Sequence, residues 1–512
     1  MVGMGASAEG ILEGLDDAQR AAAVALDGAV RIVAGAGAGK TRTVTRRIAY
    51  ACASGEWDPT GVLAVTFSVK AAAEMRSRLA TLGVDGVRAA TFHSAALRQL
   101  RRVWDDVCDA PFPHVVDDGD TGRLVAVALR RTVGGDEPDR IAVRDVLAEI
   151  NWAKVSLIAP GDYVRACAAT GRRPPAGLDP DRFADVYEGY EREKTAHGLI
   201  DFDDILLVCC HVMEGFDEAA ARIRSSIRWL TVDEYQDVSP LQHRLMTLWL
   251  DGGRDVCVVG DPAQTIYSFA GASSYDLLSF AGQFGPLRAD IALNTDYRST
   301  PQVVDYANRV LSRSPERADY LKLTSAREPG ARVAHTVYAT DRDEARGVAG
   351  RIARMVAGGV DPADCAVLTR VNAQQPMLRA ALHEAGLRSR VRRDAGWSGG
   401  TAATLATVGL PVDGASAGMT NGAGDAVSAA RGEVTISTIH ASKGLEFPHV
   451  FLVGCSEGLI PYGSPPDGDA LEEERRLLYV GITRAEDTLH LSYARSREGL
   501  DMGRGRTPSR FL

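Results

Sequence analysis

Lys40 and Thr41 close the run AGAGAGKT, in which Gly35, Gly37 and Gly39 alternate with Ala34, Ala36 and Ala38. Glycines at that spacing let successive backbone N–H groups curl around phosphate oxygens; the compact ammonium adds charge, and the hydroxyl beside it can ligate Mg²⁺. The strict form of such a loop begins with glycine, where this chain has Ala34. Downstream, WLTVDEYQD delivers Asp233 and Glu234 at the end of an apolar run. Two adjacent acids suit two tasks in phosphoryl transfer: Asp233 holds the metal, and Glu234 orients and deprotonates the attacking water. A surface acid pair alone is uninformative. Coupled to a phosphate loop, it predicts ATP hydrolysis.

Those side chains need elements that present them. Nearly continuous apolar runs at 30–34, 62–66, 229–232 and 256–259 read as strands of a parallel sheet covered on both faces. Val44, Ile48 and Cys52 recur at helical spacing, so a helix starts at Thr41 with its amino end at the first strand's tip. From Arg102 to Leu199 the pattern turns helical, with polar turns VGGDEPDR and TGRRPPAG. A second alternating block begins near Ala289, with strands expected at 365–368, 434–438, 450–453 and 488–492. Residues 396–431 are rich in Gly, Ala, Ser and Thr, with almost no charge, and read as a linker. The expected division is a first α/β domain from 1–102 and 200–286, a helical insert at 103–199, a second α/β domain from 287–395 and 432–512, and the linker-like 396–431.

At 512 residues the chain has room for three or four domains, and 45% apolar with 24% charged residues excludes disorder along its length. The longest apolar runs, VLAVTF and VFLVGC, fall far short of the ~20 residues of a membrane span. The opening MVGMGASAEGILEGLDDAQ lacks a secretory pattern, so a cytoplasmic location is expected. Eight scattered cysteines, with no CxxC pair, point to reduced thiols and no zinc. A net charge of −9 discourages a general polyanion binder but leaves a local groove open. No internal repeat is visible. Only six lysines occur among the 58 basic residues, and Lys40, Lys70 and Lys443 fall inside motifs.

The stretches LDDAQRAAAV, AGAGAGKTRT, VLAVTFSVKAAAEMRSRL, ATFHSAALR, LIDFDDIL, VDEYQDVSPLQ, VVGDPAQTIYSFAGA, LNTDYRSTPQVV, VLTRVNAQQ, ISTIHASKGLEFPHVFLVG and EEERRLLYVGITRAED span nearly the whole chain. Together, in this order, they resemble the UvrD/Rep/PcrA helicases of superfamily one. The wording DEYQDVSPLQ with GDPAQTIYSFAGA is most similar to the actinobacterial second UvrD-like subgroup. The resemblance implies an α/β fold of two RecA-like P-loop domains, a helical domain inserted in the first and a vestigial insertion in the second. It also implies ATP and Mg²⁺, and 3′ to 5′ movement on single-stranded DNA in repair or replication. Ala36, Gly37, Ala38, Gly39, Lys40, Thr41 and Arg42 then line the nucleotide, Gln19 reads the adenine edge, and Tyr297 stacks on the base. By the same resemblance Gln264 senses the terminal phosphate, Arg298 and Arg484 are arginine fingers reaching from the second domain, and Glu446 orders the cleft edge. Such a finger can be worth ~10³–10⁵ in rate.

Phe67, Ser68, Lys70, Thr91, His93, Phe202, Tyr267, Phe269, His440 and Lys443 resemble family positions that contact single-stranded DNA. Aromatic faces stack on unpaired bases for ~1–3 kcal/mol each without reading sequence, and Lys70 and Lys443 can meet phosphates. For Phe67 and Phe202 the competing expectation is plain packing, and for His93 and His440 a satisfied histidine. Val69, Phe269 and Ala270 replace the family's usual Asn, Trp and Arg, which implies a looser grip on bases. The family's second helical insert is almost wholly missing at 396–431, and Leu500 stands near where relatives carry an aromatic on a strand-separating hairpin. No carboxy-terminal accessory domain is expected after PSRFL. Forked or tailed duplex is a further expected substrate, and RNA stays open. Two rivals follow: a translocase that strips proteins from DNA with little unwinding, and a nucleotide-dependent DNA-binding regulatory subunit with little turnover. The presence of Lys40, Asp233, Glu234, Arg298 and Arg484 argues against the second.

Overall fold

The computed structural model describes residues 7–134, 138–392, 404–408, 432–496 and 505–512. Six parallel strands build the first sheet: β1 (Val30–Ala34), β2 (Val62–Thr66), β3 (Arg88–Thr91), β4 (Trp229–Val232), β5 (Val256–Gly260) and β6 (Ala289–Leu293), in the order β3-β2-β4-β5-β1-β6. Along β2 successive side chains go to opposite faces. Val62 and Ala64 join Val44, Ile48 and Met75 on one side, while Leu63 and Val65 join Leu97, Leu206 and Leu245 on the other. Helices on both faces leave such a strand no wet side, so it reads as an unbroken apolar run.

The boundary between the α/β blocks differs from the expectation. Ala289–Leu293 does not open the second sheet; it pairs with β1 from Val30–Ala289 to Ala34–Leu293. It is an edge strand, and its polar Asp290 is held by Arg31 of β1 at 2.6 Å. The first sheet therefore runs past residue 286. The second sheet comprises β7 (Ala334–Thr340), β8 (Cys365–Thr369), β9 (Arg388–Val391), β10 (Glu433–Thr438), β11 (Phe447–Leu452) and β12 (Ala485–Ser496), in the order β7-β12-β11-β8-β10-β9, again all parallel. Of residues 396–431, only 404–408 are described, and Leu500 lies outside the described residues. Residues 404–408 sit on the first domain: Leu405 is buried in its core, and Thr407 Oγ1 is 3.2 Å from Ser94 Oγ. Among the described residues no helix is long and apolar enough to cross a membrane.

The insert consists of helices Asp118–Val133, Arg140–Val155, Tyr163–Thr170 and Pro180–Ala196 around its own core of Tyr163, Phe183, Val186 and Tyr190. A two-residue pairing of His114–Val115 with Leu199–Ile200 closes its base. Beside it lies a latch invisible in the sequence. Lys154 Nζ is 2.5 Å from both Asp201 and Asp204 and 3.0 Å from Glu191, and Lys194 bonds the same three acids. Both lysines are at most 2% exposed, and the Tyr190 hydroxyl donates to Asp201 at 2.7 Å. Burial works against the charge on Lys154, but the surrounding carboxylates hold its pKa well above the ordinary lysine value. The latch ties two insert helices to the loop that carries Phe202 and Asp203.

A buried ion network is costly to break from one side, because the partner charges stay desolvated. Lys154→Met is therefore expected to destabilise the protein by roughly 3–5 kcal/mol in chemical denaturation; a loss under ~1 kcal/mol would show that the latch does not hold the insert.

Candidate nucleotide and nucleic-acid sites

The run AGAGAGKT links the tip of β1 to the helix Lys40–Ala53, one residue earlier than the expected start. Gly37 (φ 69°) and Gly39 (φ 76°) adopt the left-handed conformation that only glycine takes without strain, and Gly39 caps the helix. Lys40 Nζ donates to the Ala34 carbonyl at 3.2 Å, folded over the loop. The second domain imposes another demand on these glycines. A Cβ on Gly35 would lie 2.2 Å from Leu323 Cδ2, and one on Gly37 would lie 2.0 Å from Asp296 Oδ1. The phosphate loop is thus roofed by side chains from beyond the first sheet.

That roof extends along one helix. Glu473, Arg476 and Tyr479 recur every three residues on Gly468–Ile482 and share a face. Glu473 accepts from Ser268 N at 3.1 Å, Arg476 Nε donates to the Thr265 carbonyl at 2.9 Å, and the buried Tyr479 hydroxyl contacts the Ala36 backbone. Ala36 and Ala263 pack in the same apolar cluster as Tyr479 and Ile482. Sequence reasoning missed all three; their spacing in EEERRLLYVGI was the available signal.

Asp233 and Glu234 stand side by side where β4 ends. Asp233 is 5% exposed, and the Thr41 hydroxyl reaches its carboxylate. Burial and the neighbouring Glu234 push Asp233 up to about 7, against the pull of Lys40 and Thr41. Burial would raise Glu234 too, but Lys40, Lys443, the Gln236 amide and Arg484 outweigh it and hold this carboxyl below its ordinary value. Glu234 also has φ 54°, a conformation that a non-glycine residue holds only under constraint. A hydroxyl and a buried carboxylate facing a phosphate loop form an oxygen-only donor set, which fits Mg²⁺.

The other residues expected at the nucleotide lie around the same loop and seam. Gln19 is 1% exposed and donates to the Ala38 carbonyl at 3.0 Å, while its helix is capped by Asp16. The half-exposed Tyr297 donates its hydroxyl to Asp16, and its backbone N–H binds the Gly37 carbonyl at 3.1 Å. Arg42 reaches the Gly14 carbonyl at 2.8 Å. Gln264 bonds Asp261 at 2.7 Å beneath the seam. Arg298 Nε pairs with Glu446 at 2.6 Å. Arg484 is buried, bonding the Val480 and Leu445 carbonyls at 3.0 Å each. Burial and the adjacent Arg298 lower Arg484 to about 10.

The expected single-strand track divides in two. Phe67 and Tyr267 stack at 5.4 Å between centroids, with Phe269 (60% exposed) and His440 each about 6 Å from Tyr267. Burial, Arg370 and Lys443 lower His440 to about 4, so it is neutral at physiological pH. Ser68 caps the helix Val69–Thr81, and Lys70 projects from that helix's first turn into solvent. Lys443 points inward instead, bonding Asp237 and, at 2.7 Å, the Gln264 carbonyl. The other group is interior. Thr91 caps the helix Phe92–Val107 by accepting from Ser94 N, and His93 is 4% exposed, stacked on Phe202 at 3.8 Å and 3.5 Å from Asp203.

A phosphate loop and acidic pair on one parallel sheet, roofed by arginines and a helix face from a second, define a P-loop NTPase of two RecA-like domains. The chain belongs to the UvrD/Rep helicase family: residues 15–285 match the UvrD/REP helicase N-terminal domain, and 291–395 with 415–496 match the UvrD-like helicase C-terminal domain. It is 40% identical to the ATP-dependent DNA helicase UvrD2 of Mycobacterium tuberculosis, covering 99% of this chain and 82% of that protein. It is 26% identical to the ATP-dependent DNA helicase PcrA of Bacillus subtilis, covering 98% and 86%.

Because Gly37 needs both a left-handed backbone and room for the buried Asp296, Gly37→Ala is expected to cost roughly 1–3 kcal/mol. Thermal unfolding of the two proteins checks this, and an unchanged midpoint would contradict the close approach.

Proposed function

We propose that the chain is an ATP-dependent DNA helicase that steps 3′ to 5′ along single-stranded DNA in the cytoplasm, in repair or replication. The seam supports this reading: the nucleotide loop lies on one sheet, while Arg298, Arg484, Glu446 and Tyr479 come from beyond it. Hydrolysis in such a cleft requires the domains to meet, and product release lets them part, so each ATP changes the relative grip of two lobes on a strand.

Each side chain has a task. The loop N–H groups and Lys40 hold the phosphates, Gln19 and Tyr297 take the base, and Gln264 faces the terminal phosphate. Thr41 and Asp233 would hold Mg²⁺, which neutralises phosphate charge when bound. Glu234, kept ionised by its cationic neighbours, takes the proton of the attacking water. Arg298 exchanges Glu446 for the transferring phosphoryl group, and Arg484 adds charge behind it. On the other face Phe67, Tyr267, Phe269 and His440 offer stacking surfaces beside Ser68 and Lys70, while Thr91 and His93 act from beneath by setting the helix start and the Phe202 ring.

A second reading, a translocase with weak unwinding, is favoured by what the chain lacks. The alignment with the mycobacterial relative runs to 586 positions, longer than the 512 residues here, so that relative carries segments without a counterpart. A forked-duplex assay separates the two: robust unwinding removes the translocase reading, and ATP consumption on single strands without unwinding removes the helicase.

Glu234→Gln is expected to lower single-strand-stimulated turnover by at least ~10²–10⁴-fold while fluorescent-nucleotide affinity holds; normal turnover would refute Glu234 as base. Salt titration of oligonucleotide binding gives an independent check. Lys70→Ala should reduce the slope of log K against log salt by about 0.7. His440→Gln should leave it unaltered from pH 6 to 8, because the neutral imidazole contributes no charge there.

A further inference from the structure

Asp237 is 1% exposed, and its Oδ2 takes two donors. One is the Lys443 ammonium, which comes from the second domain and also donates to the Gln264 carbonyl at 2.7 Å. The other is Gln236 Nε2 at 3.2 Å, the same nitrogen that donates to Glu234 Oε2 at 2.6 Å. Gln236 cannot shift freely, because its Oε1 accepts the Asp261 N–H at 3.0 Å and its side chain is wholly buried. A Cβ on Gly260 would lie 2.6 Å from that oxygen, so the amide is wedged between the ends of β4 and β5. On its outer side the Lys443 ammonium lies 5.0 Å from the centre of the Tyr267 ring, the ring stacked on Phe67.

We propose that Asp237 is a positioning residue: with Gln236 and Lys443 it forms a relay that sets the orientation of the Glu234 carboxylate according to the position of the Tyr267–Phe67 platform. The relay is short and specific. When a base displaces or re-tilts Tyr267, Lys443 loses or gains its ring contact. Its hold on Asp237 changes in turn, and Gln236, shared between Asp237 and Glu234, transmits that change to the base. The strained backbone of Glu234 (φ 54°) leaves its side chain dependent on such external restraint. Lys443 bridges the domains at this point, so the relay is complete only when they are closed; closure and platform are the two states that bias it.

This inference rests on the motor reading, and the test separates the two. ATP turnover of the full chain is measured with and without oligodeoxythymidylate for the unaltered protein, Asp237→Asn, Asp237→Glu, Lys443→Gln and the double variant Asp237→Asn/Lys443→Gln. In Asp237→Asn the stimulation by the oligonucleotide is expected to fall at least tenfold in kcat. Its DNA-free turnover and oligonucleotide affinity should stay within threefold, with Asp237→Glu recovering part of the loss. The double variant should be no worse than the worse single one, because both substitutions cut the same link. If the unaltered chain is not stimulated at all, the motor reading falls. If it is stimulated, and Asp237→Asn is stimulated equally or the two losses simply add, the relay is overturned. Should Asp237→Asn melt early, Lys443→Gln decides alone: undiminished stimulation overturns the relay, and a tenfold fall supports it.

Discussion

Two carboxylates set side by side at the end of β4, out of water, are the constraint around which this molecule is built. Neither can stay charged there unaided, since desolvation and mutual repulsion both favour protonation. Lys40 supplies one compensating charge from the phosphate loop. The others that reach Glu234, Lys443 and Arg484, belong to the second domain. The second domain therefore adds to the charge that holds Glu234 below its ordinary value, while Asp233 stays raised. The same dependence recurs in the backbone, where Gly35 and Gly37 leave space for Leu323 and Asp296 as much as for phosphate.

The residues expected to meet nucleic acid lie at two depths. The Phe67 and Tyr267 rings stack, with Phe269 edge-on and His440 tilted beside Tyr267. Apart from them, the buried His93–Phe202 stack lies beside Asp203, which in sequence falls between Asp201 and Asp204 of the lysine latch. The insert thus does more than add bulk: its helices anchor, through Lys154 and Lys194, the loop on which Phe202 rides. Residues 404–408 rest near the same place, with Thr407 beside Ser94.

Much of this architecture was legible because its signals are local. Strands buried on both faces read as apolar runs, and a phosphate loop needs its glycines in order. What escaped was non-local. The Asp290–Arg31 pair that makes Ala289–Leu293 an edge of the first sheet joins residues far apart in the chain, and alternation alone could not say which sheet would claim that strand. No expectation attached to Lys154 or Lys194, whose partners Asp201 and Asp204 come from another element. Thr91 and His93 were expected on the track by motif, yet an N-cap and a stacked interior ring serve local structure first. Lys443 was read as a phosphate contact, and only the closed seam reveals Asp237 as its partner.

The distribution of lysine has a practical side. Lys154 and Lys194 are sealed in the latch, Lys443 is held in the seam, and Lys40 is folded over its loop, leaving Lys70 and Lys322 as the exposed ammonium side chains among the described residues. A succinimidyl ester would thus find very few anchoring points on a protein of 54.6 kDa. A dye introduced this way would report from one face of each lobe, with no engineered cysteine among the eight already present.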